Sequence, residues 1–223
     1  MKPGHDRGGW MATGLNKIQR ELLEAFFVRE QGFFLTGGAA LVGFYLHHRQ
    51  TLDLDLFTSE DHLDDGEAAL LEAARKIGAA VERLRTSTDF RRFLVRRGNE
   101  SVVVDMVRDS APQLETVKPV HDGIPMDSPR EIMANKLCTL LSRGELRDLV
   151  DVRALEQAGH KVEEHIALAA RKDAGLTPAQ LAWVLSQLEI GEDASPPGDV
   201  SAEELREYLD NLVRRLSEVA YPA

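Results

Sequence analysis

Cysteine is almost missing from this chain of 223 residues: Cys138 stands alone, which excludes an intrachain disulfide and makes a reducing cytoplasm the expected home. No apolar run approaches the length of a membrane span, so no membrane partner is expected. The opening MKPGHDRGGW lacks an apolar signal-peptide core, and residues 1–14 read as a flexible tail. Seven histidines and one cysteine fall at no zinc-binding spacing. Neither a P-loop lysine motif nor GxGxxG occurs, which leaves kinase-like and dinucleotide-binding readings without support. Net positive charge is lacking too: a balance of −10 argues against a whole-surface affinity for nucleic acid.

What the chain does have is enough apolar residues, 43%, to build a sizeable core as one large domain or two small ones. Leu15, Ile18, Leu22, Leu23, Phe26 and Phe27 recur at helical spacing up to about Glu30. Phe33 to Thr36 is a short apolar strand broken by Gly37-Gly38, and Ala39 to Leu46 is a helix starting at that turn. A helix that begins after a glycine turn suits an anion such as a phosphate. Thr51 to Phe57 forms a strand, and a helix from about Gly66 to Ile77 ends at Gly78. Strands over Val81 to Arg85, Phe90 to Arg97 and Ser101 to Val107 follow, the last two joined by a Gly98-Asn99 hairpin. That order predicts a small mixed α/β sheet. After a proline-bearing loop, Ser110 to Ser128, the chain turns helical. Ser128-Pro129-Arg130-Glu131, Thr177-Pro178-Ala179-Gln180 and Ser201 with Glu204 are helix-start signals, each read with a capping box, and Gly191 to Asp199 is a linker before the last helix.

Several polar residues sit where the pattern calls for apolar ones. Asp53 and Asp55 share one face of a strand otherwise made of Leu52, Leu54, Leu56 and Phe57. Two carboxylates side by side repel, and a hard cation with oxygen ligands, Mg²⁺ above all, is the usual agent of neutralisation. Asp105 lies on a strand that could run beside them and is a third candidate carboxylate. Arg49 can pair with Asp53 or with a substrate phosphate. Lys136 falls inside the apolar stripe of Ile132, Met133, Leu137 and Leu140, where it either snorkels out or meets an anion. In the latter case Lys136→Met should keep or raise the melting temperature while weakening nucleotide binding. Asp148 sits on the buried side of the next helix, with Asp151 one turn on and Arg143, Arg147 and Arg153 around them. That spacing fits a structural Arg–Asp network as well as a shared polar cleft. Finally, Arg83 to Arg97 holds six arginines against one acid, either an edge-protecting hairpin or a polyanion-facing patch including Arg91, Arg92 and Arg96.

Taken in order, TGGAAL, HHRQTLDLDLF, VVVDMV and NKLCTLLSRGELRDLVDVRAL resemble the AbiEii/AbiGii family of nucleotidyltransferase toxins, MenT-type toxins included, within the DNA-polymerase-beta-like superfamily. The resemblance implies a nucleotidyltransferase core over residues 15–115 and a helical domain over 116–223 completing the cleft. It implies that Thr36, Gly37, Gly38 and Arg49 bind the nucleotide, that Asp53, Asp55 and Asp105 hold Mg²⁺ (two ions in the full arrangement), and that Lys136 and Asp148 complete the catalytic cleft. The expected activity is transfer of a nucleoside monophosphate from an NTP to RNA, a tRNA 3′ end in particular, in a type IV toxin–antitoxin or phage-defence (abortive infection) pair with a separate antitoxin. A protein-modifying, AMPylating transferase and a non-catalytic nucleotide- or antitoxin-binding module are the alternatives.

Overall fold

A computed structural model describes residues 14–221, so the expected N-terminal tail lies outside the described residues except for Gly14. Helix α1 (Lys17–Phe27) opens on a reciprocal cap between Asn16 and Gln19, and its apolar side buries Ile18, Leu22, Leu23, Phe26 and Phe27. Strand β1 (Phe34–Thr36) runs straight into α2 (Gly37–Ala40), which widens into a π turn over Leu41–Tyr45. Then come β2 (Asp53–Thr58), α3 (Leu63–Lys76), β3 (Ala80–Thr86), β4 (Phe90–Arg97) and β5 (Glu100–Arg108). The strands form one sheet in the order β1-β2-β5-β4-β3, mixed because β2 and β5 run parallel while the other pairs are antiparallel.

Period-two alternation decides what each face of this sheet carries. Val102, Val104 and Met106 of β5, with Phe93 and Val95 of β4, are buried on the face that packs against α1 and α3. Burying a side chain of this size contributes about 1.5–3 kcal/mol relative to leaving it in water. The alternate residues point to the other face, which holds the site.

The expected connecting loop contains a two-residue-per-strand hairpin, β6 (Val120–His121) and β7 (Ile124–Pro125), and Met126 then bridges to Leu35 at the outer edge of β1. Helices α4 (Pro129–Ser142), α5 (Leu146–Gln157), α6 (Val162–Lys172), α7 (Pro178–Ser186) and α8 (Ala202–Ala220) follow. Ser201 and Glu204 close a full capping box at α8. Ser128 and Thr177 cap α4 and α7 through their hydroxyls, but the expected boxes at both close on one side only. Glu131 turns away from the cap because its buried carboxylate is taken by the amides of Leu114 and Glu115 and by Lys172. One buried apolar cluster runs from α1 to α8, and among the described residues no helix is long and apolar enough to cross a membrane.

Candidate active site

Along β2, Leu54 and Leu56 are 0% and 1% exposed, while Asp53, Asp55 and Phe57 sit half-buried on the opposite face. Cross-strand register then sets one row across the whole sheet: Thr36 pairs with Asp55, Asp55 with Asp105, Asp105 with Arg92, and Arg92 with Arg85. Paired residues point to the same side, so the row runs from the Gly37 turn through two carboxylates to two arginines. Gly37 has a φ of 63°, and a Cβ there would lie 2.4 Å from Asp55 Oδ2. Only glycine lets the turn press against this carboxylate. Thr36 does not cap α2; its hydroxyl donates to Asp127 Oδ2 at 2.6 Å.

The three carboxylates differ in their partners. Asp53 accepts from Thr51 Oγ1 at 2.7 Å and from Arg147 Nη1 at 3.2 Å. Asp105 is clasped by Arg92 through Nε at 2.7 Å and Nη2 at 2.6 Å, so the candidate third carboxylate is already paired. Among the described residues, Asp55 has neither kind of partner. Burial, with the negative charge of Asp53 and Asp105 beside it, pushes its carboxyl up to about 7, against the opposing pull of Lys136 and Arg147. Those two cations direct their ion pairs elsewhere.

Lys136 is buried between two carboxylates, 2.7 Å from Asp148 Oδ1 and 2.6 Å from Asp151 Oδ2. Burial works against its charge, but Asp151 and Asp148 more than offset it and hold the ammonium above its ordinary value. The snorkelling account is therefore wrong, and so is the idea that the lysine lacks a counter-ion until a phosphate arrives. Arg49 does not pair with Asp53, though it lines the smaller cavity described below. It grips Asp151 through Nε at 2.7 Å and Nη2 at 2.9 Å, and His48 Nε2 joins at 2.8 Å. Gly38 faces that guanidinium, since a Cβ there would lie 2.5 Å from Arg49 Nη2. Arg143 completes the network on Asp148 Oδ2 at 3.1 Å, while Arg147 reaches past it to Asp53.

Two adjoining cavities share Asp55, Lys136 and Arg143. The smaller, about 100 Å³, is almost wholly polar and is walled by Gly38, Asp53, Asp105, Arg92 and Arg147. The larger, about 620 Å³, opens between β2 and the helices and is lined by Thr36, Gly37, Phe57, Asn135, Thr139 and Lys172 among others. Among the described residues, no three carboxylate, imidazole or thiolate groups stand close enough to enclose an ion by themselves. Mg²⁺ does not need such a cage; it is commonly held by one or two carboxylates, with substrate phosphates and water filling the remaining positions. Asp55, without an ion pair of its own, and Asp53 beside it offer such a pair of hard oxygen donors.

The arginine-rich hairpin is not a continuous patch. Strand alternation sends Arg83 and Arg91 to Glu67 and Asp64 on α3, and Arg97 to Glu21 and Glu100. Arg92 goes to the other face, so Arg91 and Arg92 cannot act on one ligand. The pairing of Arg49 with Asp151 and the role of Asp127 in holding Thr36 escape sequence reasoning because each joins positions far apart in the chain, whereas Arg92 and Asp105 face each other across the predicted Gly98-Asn99 hairpin. Only the alternation of β4 signals the direction of Arg92 in advance.

No curated protein sequence matches the chain. Its fold is that of solved nucleotidyltransferase structures. A provisionally assigned nucleotidyltransferase from H. pylori is 21% identical with a TM-score of 0.60, covering 91% of this chain and 92% of that one. JHP933 from Helicobacter pylori is 22% identical with a TM-score of 0.55, covering 91% and 92%. The nucleotidyltransferase toxin MenT4 of Mycobacterium tuberculosis is 18% identical with a TM-score of 0.53, covering 89% and 91%. The family described as nucleotidyl transferase AbiEii toxin, type IV toxin–antitoxin system, matches over residues 21–221, nearly the whole chain. The chain therefore belongs to the AbiEii nucleotidyltransferase toxins, enzymes of type IV toxin–antitoxin systems that use a nucleotide substrate and are paired with a cognate antitoxin.

Proposed function

We propose that this toxin transfers a nucleoside monophosphate from a Mg²⁺-bound NTP to a hydroxyl of an RNA acceptor, a tRNA 3′ end in particular. The observation that carries the reading is Asp55: a carboxylate pushed up to about 7, without a counter-ion, pressed against a left-handed glycine turn where two cavities meet. Asp53 and Asp55 would hold the metal, which would supply positive charge to the triphosphate. The larger cavity takes the nucleoside, and the Gly37 turn lies against the phosphates. The acceptor oxygen bonds to the α-phosphorus as the bond from that phosphorus to the α–β bridging oxygen breaks. Pyrophosphate leaves with the electron pair. The hydroxyl proton passes to Asp105 once Arg92 yields it. Lys136 lines both cavities and Arg49 the smaller one, and with Asp148 behind them they fix the wall of the cleft.

The test is incubation of the full chain with each α-labelled NTP, total tRNA and cell extract, with and without a chelator. The expected result is an RNase-sensitive labelled product that disappears with chelator and in Asp55→Asn. A labelled product that resists RNase and is lost to protease makes the acceptor a protein; full activity in the chelator removes the metal from the reading.

A further inference from the structure

The sheet is covered unevenly. The helices packing against β3, β4 and β5 are α1 and α3, both on the apolar face. On the site's face, the outer half of the sheet beyond Asp105 is open. Arg92 and Arg96 of β4 are exposed there, as are Ala80, Glu82 and Arg85 of β3, with Arg96 paired to Glu82 at 3.5 Å. At the start of β4, on this face, stands Phe90, half-buried, with the guanidinium of Arg85 5.8 Å from its ring centroid and that of Arg92 5.6 Å away.

This arrangement is built rather than incidental. Arg83 pairs with Phe93, but the next pair is Arg85 with Arg92, so a bulge inserts Leu84 as an extra residue. A bulge re-aims the side chains that follow it. In regular register Leu84 would stand opposite Arg92; the bulge gives that place to Arg85. Edge protection accounts for exposed charge and for a bulge on the edge strand β3, but not for an aromatic ring flanked by two guanidiniums on the face. Arg85 has no acidic partner among the described residues, unlike Arg83, Arg91 and Arg97, which are tied to acids elsewhere. On a chain of net charge −10, a cationic strip leading directly to the reacting carboxylates is a selective feature.

We infer that the open face of β3–β5 is the acceptor platform, on which a single-stranded RNA end lies with a base stacked on Phe90 and its phosphates on Arg85 and Arg92. The inference rests on the nucleotidyl-transfer reading with an RNA acceptor. Aromatic rings and arginine planes are the usual partners of unstacked bases, and arginines the usual partners of the backbone. The row from Asp55 to Arg85 crosses three inter-strand steps, about 14 Å in all, so a chain end lying on the platform reaches the metal pair. A phosphate taken up by Arg92 also draws that guanidinium from Asp105, so acceptor binding frees the carboxylate that takes the proton.

The experiment measures binding of a fluorescent single-stranded oligoribonucleotide with a free 3′ hydroxyl by anisotropy over a range of salt concentrations. The full chain is compared with Phe90→Leu and Arg85→Ala, and Mg²⁺–NTP binding, label transfer and melting temperature are measured alongside. Phe90→Leu keeps the apolar contact and removes the stacking surface, and Arg85 is exposed, so both variants should fold. Phe90→Leu should weaken RNA binding about tenfold with the salt dependence unchanged. Arg85→Ala should lower the slope of log affinity against log salt by about one phosphate contact. Nucleotide binding should stay at the wild-type level in both. Wild-type RNA affinity, salt slope and transfer to RNA in both variants would overturn the platform and leave the transferase reading intact. A wild-type product labelled on polypeptide instead of RNA would overturn the acceptor reading, and the platform with it.

Discussion

Two groups of aspartates lie within one cleft and have opposite fates. Asp148 and Asp151 are fully buried, yet Lys136, Arg49, Arg143 and His48 surround them. Burial opposes ionisation of Asp151, but Lys136, Arg49 and His48 hold its carboxyl well below the usual carboxylate range. Asp55 is pushed the other way, up to about 7, by burial and by the carboxylates beside it. The difference lies in what completes each group. The first is finished within the chain and serves the framework; the second has no counter-ion among the described residues, as the proposed metal site requires.

The largest expected effect tests the unfinished half. Asp55→Asn should lower label transfer by about a thousandfold or more, at about 1.4 kcal/mol per decade, with no loss of melting temperature at pH 8. Transfer at the wild-type rate would erase the distinction. The finished half is tested by Lys136→Met, which leaves two buried carboxylates facing each other without their ammonium. It should cost about 3–5 kcal/mol in urea unfolding, the reverse of what the sequence pattern suggests. An unchanged or raised midpoint would show that the network is not structural.

The comparison sharpens with pH. The folded value of Asp55, about 7, lies above its ordinary value of 3.8, so its contribution to stability is fully present below about pH 4 and is lost as pH rises through 7. The gain in melting temperature of Asp55→Asn over wild type should therefore grow from pH 4 to 7 and level off above. Asp151, held low, has the opposite sign: its contribution is present above its ordinary range and is lost only in acid. A difference between the two melting temperatures that stays flat over that range would contradict the asymmetry. The smallest effect concerns the turn. Gly37→Ala requires a left-handed alanine and crowds Asp55 Oδ2, and should cost about 1–2 kcal/mol in thermal unfolding.

The sequence carries the parts of this picture that are periodic or local. Alternation in DLDLF places both aspartates on one face, helical spacing marks α1 and α4, and the caps at Ser128, Thr177 and Ser201 are where Ser, Thr and Pro predict them. Contacts made across the chain are not legible. Arg49 and Asp151 are 102 positions apart, and no local rule chooses that pairing over Arg49 with Asp53. Glu131 is indistinguishable from a box-forming glutamate until the amides of Leu114 and Glu115 arrive beside it. The π turn over Leu41–Tyr45 and the bulge at Leu84 leave no compositional trace either. The split of the arginine hairpin was open to reading, because neighbours on a strand point opposite ways.

Glu131 has one more consequence, for the time the cleft takes to open. Its carboxylate accepts from Leu114 at 2.9 Å and Glu115 at 3.0 Å, and Lys172 of α6 closes over it. Loop residues Asp109 and Ala111, just upstream, form part of the wall of the larger cavity. Connecting loops ordinarily exchange their amide hydrogens quickly. Here two loop amides are locked to a carboxylate shared by α4 and α6, so they should exchange with deuterium as slowly as the interior of those helices. Slow exchange there would mean that the proposed nucleotide cavity is bounded on that side by a wall fixed to α4 and α6.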